Sequence, residues 1–193
     1  MTTLVTNTQL GIFDASKMNL DDFGFKLLNA ALPLLQSTPA EQIPIRQLSG
    51  AIGCVPSTLL NKLSSYQLCW QFIADKCFSY WLDIRLDKCT QLADLADCLY
   101  ELAAEQPFVW RLIFEYAPDQ AAHLIDHSLN RQQIVCGALS GLIRDNSKVN
   151  SVWYMLFGFC RLLVTNRLDS SDHLVRYQAV KYDLIQLCQT NKS

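Results

Sequence analysis

The side chains best suited to chemistry in this chain crowd into one stretch, IPIRQLSGAIGCVPSTLLNKLSSYQL, residues 43–68. Arg46 and Lys62 can pair with phosphate oxygens or a guanine edge, and Asn61 can read an adenine through two hydrogen bonds. Ser57, Thr58, Ser64, Ser65 and Tyr66 carry hydroxyls that donate to backbone oxygens of a nucleic acid. This is binding chemistry rather than bond making. With only three His, no Gly-x-Ser-x-Gly, no Gly-rich phosphate loop and no paired carboxylates beside a predicted cleft, catalysis has little support, so neither an enzyme nor a cofactor is expected.

Two further sets of reactive residues weigh less. Glu115, Asp119, His123 and His127 share a helical spacing that a divalent metal uses, but Pro118 interrupts the ladder and the Glu of a His-Glu-x-x-His motif is missing. No metal is expected there. The eight Cys, at 54, 69, 77, 89, 98, 136, 160 and 188, contain no Cys-x-x-Cys pair, which excludes a zinc ribbon. The N-terminal residues lack a basic segment followed by an apolar one, so no secretory signal is read and the thiols are expected reduced and buried in a cytoplasmic protein. Only Cys77 and Cys89 adjoin a lysine, and small buried hydrophobe is the reading for all eight.

The elements that position these residues follow from composition and period. The chain has 193 residues with 16 Lys+Arg against 18 Asp+Glu, and 50% of it is apolar while only 18% is charged. That leaves apolar surface for a core, a ligand cavity or a subunit interface, and a homo-oligomer is expected. A net charge of -2 argues against coating nucleic acid by charge alone. Few Gly and Pro, seven and six, argue for helices. The longest apolar run, Val152 to Cys160, falls short of the roughly 20 residues a membrane span needs, so it reads as a buried helix and no membrane partner is expected.

Residues 1 to 19 read as a partly disordered arm. Asn19 then suits an N-cap, and Phe23, Leu27, Leu28, Ala31, Leu34 and Leu35 recur at helical spacing over about 20 to 37, with Pro33 a kink or an early stop. Two short helices follow. Gly53 suits a left-handed residue after the first and Pro56 the first turn of the second, the layout of a helix-turn-helix. Longer helices are predicted near 66 to 88, 91 to 105, 107 to 117, 119 to 143, 148 to 167 and 172 to 189. The last two repeat apolar residues at spacings of 3 and 4: Trp153, Leu156, Cys160, Leu163 and Arg167, then Leu174, Tyr177, Lys181, Leu184 and Cys188. Paired across a two-fold axis, they would form a four-helix bundle between subunits.

Residues 20–70 resemble the DNA-binding domain of the TetR family of transcriptional regulators. Leu28, Ala30, Ala31, Leu32, Ile45, Arg46, Leu48, Gly53, Thr58, Leu59 and Leu68 match that family's pattern without a gap. The chain departs from it at Pro44, Leu60, Lys62, Leu63 and Tyr66, where the family places Thr, Tyr, His, Phe and Lys. The first 80 residues carry five basic and five acidic side chains, so DNA affinity should rest more on neutral donors than is usual for the family. The resemblance implies an all-α fold with a helix-turn-helix domain at 20–66 and a helical effector-binding and dimerisation domain at 67–193. It implies that Ser57, Asn61 and Lys62 face bases while Arg46, Thr58, Ser65 and Tyr66 hold the backbone of a double-stranded operator. It also implies an effector pocket between helices, with Trp81, Phe108, Trp110, Phe114, Trp153 and Phe157 as wall residues and Arg111, Tyr154 or Arg161 as a polar anchor for a small apolar ligand. The expected function is a homodimeric repressor released by that ligand. The alternative is a helical sensor or interaction protein of the same fold without sequence-specific DNA binding.

Overall fold

The computed structural model describes residues 12–116, 122–168 and 172–189, with backbone alone over 122–126. Among these residues the regular elements are all helical, as expected from the sequence. The helices are α1 (Asp22–Leu34), α2 (Ile45–Ala51), α3 (Pro56–Leu63), α4 (Tyr66–Ile84), α5 (Leu92–Glu105), α6 (Pro107–Phe114), α7 (Ala122–Leu142), α8 (Val149–Val164) and α9 (His173–Gln189). No helix among the described residues is long and apolar enough to cross a membrane.

Local chemistry explains the boundaries. Asp21, not Asn19, caps α1 by accepting from the Gly24 amide at 2.7 Å. Pro33 sits in the last turn, and the helix gives way to turns at Leu35. Ser65 caps α4 in the same manner through the Leu68 amide at 3.0 Å. Gln91 and Asp94 form a reciprocal capping box at the start of α5. Pro107 begins α6, where its missing amide costs nothing.

The N-terminal segment differs from the arm expected. Phe13 is wholly buried, packs on Tyr80 with ring centres 6.2 Å apart, and is followed by a short 3₁₀ turn, Ala15–Lys17, capped by Asp14. An isolated aromatic in polar text has no period to announce it, yet burying it removes much apolar surface from water. Residues 1–11 of the expected arm lie outside the described residues.

The main apolar cluster runs from Phe13 and Leu27 through the long helices to Leu184, with a smaller one of Tyr100, Phe159 and Tyr177 beside it. In it α4 packs against both α3 and α6, so it is shared by the head and the body. On the other side α5 packs against α6, α8 and α9. Buried polar groups tie these helices together. Arg131 of α7 donates to the Ile113 carbonyl at the end of α6 and to Asp75 of α4, both at 2.7 Å, and Gln132 donates to the Phe114 carbonyl at 2.9 Å. The last carbonyls of α6, which have no partner within their own helix, are thereby satisfied from α7. Tyr177 of α9 stacks on Tyr100 of α5 at 3.9 Å and donates to Asp97, while Lys181 meets both Asp97 oxygens at 2.6 and 2.7 Å. Burial and the Asp97 carboxylate push the Tyr177 hydroxyl well above its ordinary value.

Candidate nucleic-acid interface

The turn between α2 and α3 presents the candidate residues. Gly53 adopts φ +73°, its amide donates to the Gly50 carbonyl at 3.1 Å, and the Cys54 amide donates to that of Ser49 at 3.0 Å. This closes the end of α2 with a left-handed residue that glycine takes without steric cost. Val55 then runs extended and Pro56 starts α3. Within α3 only Leu59 is fully buried, and Leu63 is half-buried. Ser57, Thr58, Asn61 and Lys62 are exposed, as is Arg46 on α2. Five of the seven residues expected at the interface therefore share solvent access on the same two helices.

Ser65 and Tyr66 are placed differently. The Ser65 oxygen is spent on the Leu68 amide, and the Tyr66 hydroxyl donates to the Ile43 carbonyl at 2.5 Å with its ring edge-on to Trp70. Burial pushes that hydroxyl up to about 12. Tyr66 thus ties α4 to the segment entering α2, and its proton is already committed within the protein. A lysine at this position could not make that edge-on ring contact with Trp70.

Charge around α3 is balanced. The Lys62 ammonium lies 4.7 Å from the centre of the Phe23 ring, a cation–π contact that leans it toward α1. Thr58 and Lys62 line a cleft of about 750 Å³ together with Asp21, Asp22, Phe23, Lys26, Ile52, Gly53 and Cys54. Two carboxylates and two ammonium groups face this cleft, so a phosphate approaching Lys62 also meets Asp21 and Asp22.

Five of the six expected pocket residues stand in ring-to-ring contact with one another. Trp110 meets Phe114 at 5.3 Å and Phe157 at 5.0 Å, Trp153 meets Phe157 at 5.0 Å, and Trp81 stands edge-on to Phe114 at 6.2 Å. Phe108 is half-buried and packs on the main core. The indole N–H groups of Trp81 and Trp110 are buried and have no acceptor among the described residues. Of the proposed anchors, Arg161 pairs with Glu115 at 2.8 Å and Arg111 lies 3.8 Å from the same carboxylate. Tyr154 is 70% exposed and points away from the cluster.

The stripes expected at a dimer seam turn inward instead. Trp153, Leu156, Cys160, Tyr177 and Leu184 are buried within the protomer, Leu163 is half-buried, and Lys181 is held by Asp97. Leu174 alone of that set is an exposed apolar residue. The uncovered large apolar side chains of these two helices are Tyr154, Met155 and Leu162 on α8, then Leu174, Val175 and Tyr182 on α9. The run Val152 to Cys160 is therefore covered on one side only.

Among the described residues no group of three or more His, Cys, Asp or Glu could hold a metal ion. His127 is exposed, while Asp119 and the His123 side chain lie outside the described residues. The buried Arg131 bridge and the Asp97 cluster were missed from sequence. A signal for the first was present, since Arg131 falls on the apolar stripe of Val135 and Leu139. No family model, curated protein or solved structure matches the chain.

Proposed function

We propose that the chain is a homodimeric, ligand-responsive regulator of transcription of the TetR type, a repressor that binds a double-stranded operator through α3. One observation carries the reading. Ser57, Thr58, Asn61 and Lys62 stand outward on a short helix pinned by Leu59 behind a Gly53 turn, a layout suited to a rod laid in a major groove. Asn61 and Lys62 read bases, and Arg46 and Thr58 hold phosphates. With Asp21 and Asp22 beside Lys62, the electrostatic part of the affinity is small.

The effector enters the aromatic cluster of Trp81, Trp110, Phe114, Trp153 and Phe157. Two buried indole N–H groups without acceptors favour an apolar molecule that carries a hydrogen-bond acceptor. The homodimer forms through the outer faces of α8 and α9. Effector binding then favours one separation of the two heads, and affinity falls when it no longer matches one DNA turn of about 34 Å.

The test is selection of duplexes from a random pool on the purified protein. A palindromic site should emerge, Arg46→Ala should lower the slope of log affinity against log salt by about one, and Lys62→Ala should relax the sequence preference at the position it reads. No enriched sequence would overturn the reading. The Asp21–Asp22 pair on the cleft wall favours the second reading, a helical sensor or interaction protein that does not read DNA, under which the pool stays unenriched.

A further inference from the structure

We propose that Cys89 and Cys98 form a redox-modification site, a dithiol that a hydroperoxide converts into an intramolecular disulfide. Their sulfurs lie 3.6 Å apart, the one pair of thiols in hydrogen-bonding contact among the described residues. Both are half-buried, so a small oxidant reaches them, whereas Cys69, Cys77 and Cys160 are buried. A disulfide needs about 2.05 Å between sulfurs, so the pair must close by about 1.5 Å. Cys89 can supply that movement: it follows the 3₁₀ turn Leu86–Lys88 in extended backbone (φ -70°, ψ 121°), while Cys98 is fixed within α5.

The surroundings give the two sulfurs different parts. Burial raises both thiols, Cys89 to about 12, and either sulfur can donate the S–H···S contact between them. The Arg85 guanidinium favours both thiolates, against Asp94 near Cys89 and against Asp97 and Glu101 near Cys98. Arg85 is itself held by Glu101 at 3.4 Å, and its carbonyl accepts from Cys89 at 3.4 Å. Cys98, whose thiol is raised less and which stays fixed within α5, is the attacking sulfur, and Cys89, carried on the extended segment that can move, is the resolving one.

The step balances without a further reactant. The Cys98 thiolate attacks one peroxide oxygen, the O–O bond breaks, and the departing hydroxide takes up a proton to leave as water. Sulfur is oxidised to a sulfenic acid as the peroxide is reduced. The Cys89 thiolate then attacks the Cys98 sulfur and expels hydroxide, which leaves as a second water by taking the Cys89 proton. The product links the segment after α4 to the second turn of α5. The site does not depend on the DNA-binding reading.

The test uses the full, reduced chain treated with hydrogen peroxide, quenched with N-ethylmaleimide under denaturing conditions and digested with trypsin. Residues 89–111 form one tryptic peptide that holds these two cysteines and no other. That peptide should become two hydrogens lighter, carry no maleimide and recover both adducts after dithiothreitol. It should do so at least tenfold faster than thiol is lost at Cys69, Cys77 or Cys160. Retention of both adducts while other thiols oxidise would overturn the proposal, as would sulfinic acid without a disulfide or a bridge between chains. In Cys89→Ser, dimedone should trap a sulfenic acid at Cys98, and in Cys98→Ser none should form at Cys89. The unmutated peptide decides the matter even where a variant fails to fold.

Discussion

On α3 the uncovered residues are Ser57, Thr58, Leu60, Asn61 and Lys62, four of them polar, and Leu59 is its one fully buried residue. On α8 the uncovered side is Tyr154, Met155 and Leu162, and seven residues from Val149 to Val164 are buried beneath it. The first helix is shallowly rooted and offers hydrogen-bonding groups, so it suits a hydrated polyanion. The second is deeply rooted and offers apolar area, so it suits another apolar surface. The two helices thus differ both in the chemistry of the exposed side and in the depth of anchoring.

Removing the single anchor of α3 should have the largest effect. Leu59→Ala leaves a cavity under the head and should cost about 3 kcal/mol in urea unfolding. A loss below about 1 kcal/mol would mean that α3 is held by something other than Leu59. Charging the outer face of α8 comes next. The double substitution Tyr154→Glu with Leu162→Glu should raise the dimer dissociation constant about 100-fold, near 2.7 kcal/mol, in sedimentation, with protomer stability unchanged. Leu156→Ala, one turn away but inward, should instead lose stability by about 3 kcal/mol. A chain already monomeric at micromolar concentration would remove the outer-face interface altogether.

A smaller effect is expected from Tyr66→Phe, which deletes the bond to Ile43 and should cost about 1 kcal/mol. Its pH dependence has a fixed sign. The folded hydroxyl ionises at about 12 against about 10 when unfolded, so the folded state keeps this proton longer. Its contribution is intact below pH 10 and is lost as pH rises toward 12, and Tyr66→Phe should flatten that part of the alkaline unfolding curve. Smallest of all, Ser64→Gly should gain about 0.5 kcal/mol in thermal unfolding, because Ser64 holds φ +66° where a side chain is strained. A destabilised Ser64→Gly would show that the serine side chain contributes more than its backbone strain costs.

Gly53 and Pro56 were enough to place the turn between α2 and α3, because few residue pairs fit a left-handed stop followed by a donor-free start. Helix starts were legible where a proline acts locally, as at Pro56 and Pro107, whereas the choice of Asp21 over Asn19 as the cap of α1 was not. The inward face of α8 was not. Val152 to Cys160 is apolar all round, so two stripes obey the same period, and only tertiary packing decides that Trp153, Leu156 and Cys160 go in while Tyr154, Met155 and Leu162 stay out. The Cys89–Cys98 contact escaped for a related reason: a short loop folds back over the helix it enters, and spacing along the chain does not record that.

The clasp that Asp97 makes with Tyr177 and Lys181, with Tyr100 stacked alongside and its hydroxyl 2.8 Å from His173, fastens α9 at two successive turns to α5. Whatever settles on the far side of α9 meets a scaffold already rigid. Association there carries no charge for ordering a loose tail, and even a modest contact area can be enough to hold two copies together.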